Sequence, residues 1–485
     1  MECFATVLKV IDFITSANRE VIKMRTGSST FNLQHGILIL TSLFLLSSHV
    51  IAATIPVDDN CSLVDAITAA NTDVATNSCP AGSGADIITL QADSTITLTE
   101  PAIFPLAKGG LPIVKSEITI QGNGAIIERD DTSDALVIRI FDNFSSGTLR
   151  LENMTVRNGL SGTNSSGAGI ANNGNLTLYN VTVSGNRALS DDNNGGTAGG
   201  VQNNSSGVLT IINSTISDNT AKWFGGGILN RGTLTVENSV ISGNTTDNSG
   251  GGISNFFGAT TTITDTTIKN NTSAQGGAGL SNLSAAIVAS STFSGNHAGT
   301  FGGGIQSQDS ITISNSTFSG NIADNSGGGF YGSDAITFIN CTVAENTAGV
   351  DGGGIAYSRT ATISVLNTII ANNNANDCSN TDPVPDSGSA NWFGDASCDG
   401  GAYGDPQLGP LADNGGPTQT HAVLDGSPVI RLGNSVVCSE APVDGKDQRG
   451  EPRPEPDRSQ CDLGAFEFQD GALPPVEEVF MDGFE

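Results

Sequence analysis

Apolar residues fall in three columns along this chain, and each column returns after about 25 residues. One column holds Leu151, Leu178, Ile211, Val236, Ile263, Val288, Ile313, Phe338 and Val365. A second, five positions on, holds Val156, Val183, Ile216, Ile241, Ile268, Phe293, Phe318, Val343 and Ile370. The third follows glycine-rich stretches such as G-G-G-I (225–228, 250–253) and runs through Ile170, Val201, Ile228, Ile253, Leu280, Ile305, Phe330 and Ile355. Short apolar stretches bounded by Gly and Asn read as strands, and recurrence at this interval means one unit stacked on itself. Three short strands per turn predict an all-β, single-stranded right-handed parallel β-helix, a pectin-lyase-like solenoid with capped ends. The right hand is expected because parallel crossovers take that hand. Like then stacks on like, about 4.8 Å from coil to coil.

The polar positions carry the same period. Asn186, Asn219, Asn244, Asn271, Asn296, Asn321, Asn346 and Asn373 are separated by 33, 25, 27, 25, 25, 25 and 27 residues. Asn tolerates a left-handed backbone and its amide pairs with an identical amide above or below. These eight residues are therefore expected to form a structural ladder at a sharp corner. A shorter column, Asn172, Asn203, Asn230, Asn255 and Asn282, is expected to do the same. The many N-x-S/T strings follow from the repeat and need no glycosylation to explain them.

The periodicity divides the chain. Regular repeats span 149–375, irregular first coils and an N-terminal cap 54–148, a C-terminal cap 376–468, and an acidic tail 469–485. Residues 1–53 read as a signal peptide: Lys23 and Arg25 precede the 13-residue apolar run 36–48, and V-I-A (50–52) offers small residues for cleavage. Met24 is an alternative start. That run is too short to span a bilayer, and no transmembrane anchor is expected in the mature chain.

Cysteine spacing agrees with export. Cys61 and Cys79, Cys378 and Cys398, and Cys438 and Cys461 are local pairs flanking the repeat, and they read as disulfides of an oxidising compartment. Cys341 stands where other units have Ser214, Ser239, Ser291 and Ser316, and reads as a buried filler. The formal charge of −29 excludes nucleic acid as a partner and opposes contact with an anionic membrane.

Two terminal strings carry a resemblance. T-I-P-V-D-D-N-C-S-L-V-D-A-I-T-A-A-N (54–71) with A-D-I-I-T-L (85–90) resembles the CSLREA-type N-terminal motif of exported bacterial β-helix proteins, with Val64 and Asp65 where Arg and Glu are usual. Read physically, Cys61 to Asn71 is a short capping helix with Leu63, Ala66, Ile67 and Ala70 on one face. Residues 367–373, 405–430, 447–450 and 461–467 are similar to the choice-of-anchor Q domain, to which His421 and Asp425 belong as structural residues. The resemblance implies release or display at the bacterial surface, with interchangeable anchors and no shared enzyme activity. The sequence shows no LPxTG string and no apolar run near its end, and F-M-D-G-F-E (Phe480 to Glu485) looks like a sorting tag.

Candidate chemistry is sparse. Pectate lyases and polygalacturonases use the β-helix, so a polysaccharide lyase or glycoside hydrolase is the alternative function. A lyase needs a base beside a calcium site, and a glycosidase needs convergent carboxylates. Lys222, Arg231, Lys269 and Arg359 fall on different columns, while Asp247 and Asp324 share one but lie three coils, roughly 14 Å, apart. No catalytic residue and no cofactor is assigned. Calcium is the one ion considered, with Asp191 and Asp192 in the expected projecting loop 187–198 as ligands. Trp223, Phe224, Phe256, Phe257 and Phe301 fall at turns, where exposed rings stack on sugars. The reading is a non-enzymatic secreted or surface protein, monomeric, presenting turn residues to a glycan or cell-surface partner. A purely structural spacer is the third class.

Overall fold

The computed structural model describes residues 52–102, 109–132, 136–162, 166–190, 196–379, 390–456 and 458–469. Residues 1–51 of the expected signal peptide, Asp191 and Asp192, and the Phe480–Glu485 tail lie outside them.

The repeats wind into a parallel β-solenoid whose three apolar columns are inside, each residue at 0–1% exposure. One coil runs Val208–Ile212, Thr215–Ser217, Thr220–Ala221 and Ile228–Asn230 before the next begins at Thr233–Glu237. That is four strand segments, where the sequence predicts three. The extra one, two residues long, stacks as a separate eight-stranded sheet. Its inward position holds Ala188, Ala221, Thr246, Ser273, Ala298, Ala323 and Ala348. Small residues at this inward position leave no apolar signal, so the segment is silent in the sequence. Toward the C-terminal end the core turns aromatic, with Phe293 and Phe318 stacked at 5.0 Å and Phe330 edge-on to Phe338.

The Asn ladder is internal and is not the left-handed corner. Asn186 through Asn346 are wholly buried, and only Asn373 at the end is half-buried. Each Nδ2 donates to Oδ1 of the next coil at 2.9–3.0 Å, from Asn186→Asn219 to Asn346→Asn373. Each backbone N–H donates to that same Oδ1, as Asn244 does to Asn271 at 3.0 Å. Asp377 ends the ladder, its Oδ1 accepting from Asn373 Nδ2 at 2.9 Å. The left-handed backbone belongs to the preceding residue, with φ 56° at Asp218, 65° at Gly243 and 54° at Asn270. An Asn turned inward needs an ordinary backbone, while the bend that aims it is absorbed one position earlier.

A second left-handed corner lies between the two segments of the large sheet. It holds Asn213, Asn238, Asp265, Ser290, Asn315, Asn340 and Asn367, with φ between 43° and 51°. The shorter Asn column is also buried and extends further than the sequence reading placed it, from Asn143 to Ser307. A third ladder runs through hydroxyls, where Ser214 N–H donates to Ser239 Oγ at 3.1 Å and Thr266 N–H to Ser291 Oγ at 3.2 Å. Cys341 substitutes for one hydroxyl, is fully buried, and has its thiol pKa pushed up to about 12 by desolvation. It is an inert filler.

At the N-terminal end Thr54–Pro56 pairs with Asp86–Thr89, which pairs with Glu117–Gln121. Helix α1 (Leu63–Thr72) is capped by Ser62 and buries Leu63, Ala66, Ile67, Ala69 and Ala70. Asn71 ties it to the first coils, accepting from Lys115 N–H at 2.7 Å and donating to the Ile113 carbonyl at 2.8 Å. The Cys61–Cys79, Cys378–Cys398 and Cys438–Cys461 disulfides are all formed.

The C-terminal segment behaves as two parts. Trp392–Phe393 and Ala402–Tyr403 continue the stack on Ile369–Ala371 and close it. Residues 405–469 leave the end and form a flap on the flank of the solenoid. The flap contains the antiparallel pair Leu408–Ala412 and Thr420–Val423, and helix α2 (Ser435–Ser439). Gln448 accepts from Thr317 Oγ1 at 2.6 Å and donates to Thr292 Oγ1 at 2.8 Å, while Ala465 N–H donates to Thr342 Oγ1 at 2.9 Å. The outward Thr column of three successive coils supplies these bonds, so the region expected to cap the end lies lengthwise on the side.

His421 is part of that dock. It is 1% exposed, with Nδ1 2.8 Å from the Gly409 carbonyl and Nε2 2.9 Å from Ser319 Oγ. Burial lowers its pKa below 6.5, against smaller raising effects of the Gly409 carbonyl and of Glu345. A folded-state pKa below the unfolded one gives stability present above 6.5 and lost as pH falls through the folded value. The flap is therefore expected to become protease-sensitive on acidification below that range, and a His421→Gln variant to lose much of that pH dependence.

Candidate functional site

With the ladders turned inward and paired, two surface features stand out among the described residues. The first is an aromatic ridge at the turns. Phe224 and Phe256 meet edge-to-face at 5.1 Å, and Phe256 and Phe257 at 6.3 Å. The Arg231 guanidinium stands 5.1 Å from the Phe256 ring centre, and partial burial lowers its pKa. Phe257 is 72% exposed, while Phe224 and Phe256 are half-buried beneath it. The structure thus joins three of the five aromatics singled out in the sequence. Trp223 is half-buried next to Phe224, and its carbonyl accepts from Thr246 Oγ1 at 3.0 Å. Phe301 lies three coils further on and packs on Tyr331 at 4.6 Å. Arg231 is the residue of this ridge that the sequence reading did not connect, although it directly follows Asn230 of the shorter ladder.

The second feature is a groove of about 650 Å³ between the second left-handed corner and the flap. Asn213, Glu237, Asn238, Asp265, Ser290 and Asn315 line one side, and Pro442, Asp444, Lys446 and Arg449 the other. Burial raises the Asp265 pKa, the Glu237 charge adds to the rise, and Lys446 opposes it. Arg449 is held by buried Asp447 at 2.7 Å. Sequence reasoning missed this groove because Lys446 follows Asp265 by 181 residues with no shared register. The available signal was Asp265 itself, a carboxylate in a column otherwise filled by Asn and Ser.

Three of the scattered charges weighed in the sequence, Lys222, Asp247 and Asp324, are paired locally. Lys222 meets Asp247 at 3.0 Å and His297 meets Asp324 at 2.8 Å, both on the surface. Among the described residues no group of three or more His, Cys, Asp or Glu side chains is placed to hold a metal ion. No helix of the described residues is long and apolar enough to cross a membrane.

A family model described as the right handed beta helix region matches residues 199–375. The stack is a right-handed β-helix. The β-helix is also similar to the crystal structure of pectate lyase Pel9A, at 15% identity and a TM-score of 0.43, over 79% of this chain and 88% of that one. No curated protein matches.

Proposed function

We propose that this protein is an exported bacterial β-helix, secreted or held at the cell surface, that binds carbohydrate through its aromatic ridge and does not turn it over. The observation that carries this reading is Phe257, a large apolar ring left 72% exposed on a rigid coil and braced by Phe256. Rings of this kind present an apolar face to sugars at little entropic cost, because the scaffold already fixes them. Arg231 beside the ridge adds a hydrogen-bond donor fork. Export is supported by the three disulfides and by the resemblance of the chain's two ends to displayed bacterial proteins.

Phe257→Ala is expected to weaken retention in polysaccharide affinity gels at least about tenfold, which corresponds to about 1.4 kcal/mol. Its melting temperature should stay unchanged, since the removed ring is largely solvated. Equal retention of variant and parent on every polysaccharide would remove the ridge from the function.

The second reading, a lyase or hydrolase, is favoured by one observation, the meeting of Glu237, Asp265 and Lys446 in the groove. It requires shortened polysaccharide chains on incubation, abolished by Asp265→Asn.

A further inference from the structure

One wall of the groove is a column of corner residues taken from five successive coils, Asn213 to Asn315. It therefore extends roughly 19 Å along the axis. Exposure falls along it as the flap closes over: Asn213 and Asn238 are exposed, Asp265 and Ser290 half-buried, and Asn315 buried at 4%. Asn238 Nδ2 donates to Asn213 Oδ1, as expected of neighbouring amides. Asn315 instead donates its Nδ2 to the Lys446 carbonyl at 3.0 Å, and its Oδ1 has no partner among the described residues. A buried carbonyl oxygen without a donor is rare and calls for one.

The charge of the groove points the same way. Three carboxylates, Glu237, Asp265 and Asp444, line it with Lys446, while Arg449 is neutralised by Asp447. The corner does not demand a carboxylate at 265, since Asn adopts the same backbone at 238 and 315. We propose that this groove binds a chain of amino sugars, with an ammonium on Glu237 and Asp265 and hydroxyls donated to Asn315 Oδ1 and the neighbouring corner. The ligand is read as a sugar chain because the polar groups repeat once per coil, about 4.8 Å. A linked pyranose advances by about that much. An extended peptide advances about 3.3 Å per residue, out of step with the coils.

Calorimetric titration of the full chain with a glucosamine hexamer, an N-acetylglucosamine hexamer and hexalysine tests this, in a buffer where the amines are protonated and the carboxylates ionised. The glucosamine hexamer is expected to bind, and the other two to bind at least about tenfold more weakly. The Glu237→Gln/Asp265→Asn double variant should lose at least about tenfold in affinity for the glucosamine hexamer, with unchanged melting. Failure of the glucosamine hexamer to bind overturns the proposal, as does unchanged affinity in the double variant. Equal or tighter binding of hexalysine overturns the assignment to sugars.

Discussion

Replacing Asn271 by Ala is expected to destabilise the β-helix by about 3–6 kcal/mol, because it strands several buried polar groups at once. Asn244 loses the Oδ1 that accepts both its side-chain Nδ2 at 2.9 Å and its backbone N–H at 3.0 Å. The Ile241 carbonyl loses its donor at 3.0 Å, and Asn296 Oδ1 loses one of two. No water reaches these atoms in a fully buried column, so each loss carries the desolvation cost of an unmade bond. Asn373→Ala, at the half-buried end, should cost about 1 kcal/mol, since solvent replaces part of what is lost. Urea denaturation of the two variants separates the cases. Equal small losses would mean that the ladder does not hold the coils together.

Arg453→Leu is expected to release the flap while leaving the β-helix wound. Arg453 is wholly buried, donates to the Gly464 carbonyl at 2.7 Å, and stands 3.1 Å from Glu467. Glu467 is as deeply buried, and desolvation raises its pKa, with Asp462 adding to the rise and Arg453 opposing it. Removing the cation leaves uncompensated buried carboxylates, a change that costs about 3–5 kcal/mol. The sign with pH follows from the raised pKa. The Glu467 contribution to flap stability is fullest while the carboxyl is protonated and is lost as pH rises through its folded value, opposite in sign to that of His421, and the loss should be larger in the variant. The ladder partners all lie within the stack and its closing turn, so the coils do not depend on the flap. Hydrogen exchange should therefore open the flap amides of Gln448, Gly464 and Ala465, with the Asn ladder still protected. Loss of both together would show one cooperative unit.

The period made the solenoid legible because stacking gives every coil the same environment at the same position. It could not tell one recurring Asn from another. Asn244 and Asn238 both repeat, yet the first is buried in a ladder and the second sits exposed at a left-handed bend. The residue before the ladder, Gly243 or Asp218, marks the bend more reliably than the Asn does. The fourth strand segment stayed hidden because Ala and Thr fill its inward position. Of the ridge, Phe224, Phe256 and Phe257 were visible as turn aromatics, while their convergence with Arg231 depends on coil registration. The groove was out of reach, since Asn315 meets Lys446 across 131 residues that no repeat relates.

Incubation of the purified protein with a panel of soluble polysaccharides, followed by size analysis of the bound and free chains, tests the central claim most directly. The expected result is selective retention of at least one polysaccharide at unchanged length, lost on Phe257→Ala. Shortened or unsaturated products, persisting in Phe257→Ala and abolished by Asp265→Asn, would contradict it and make the groove an active site.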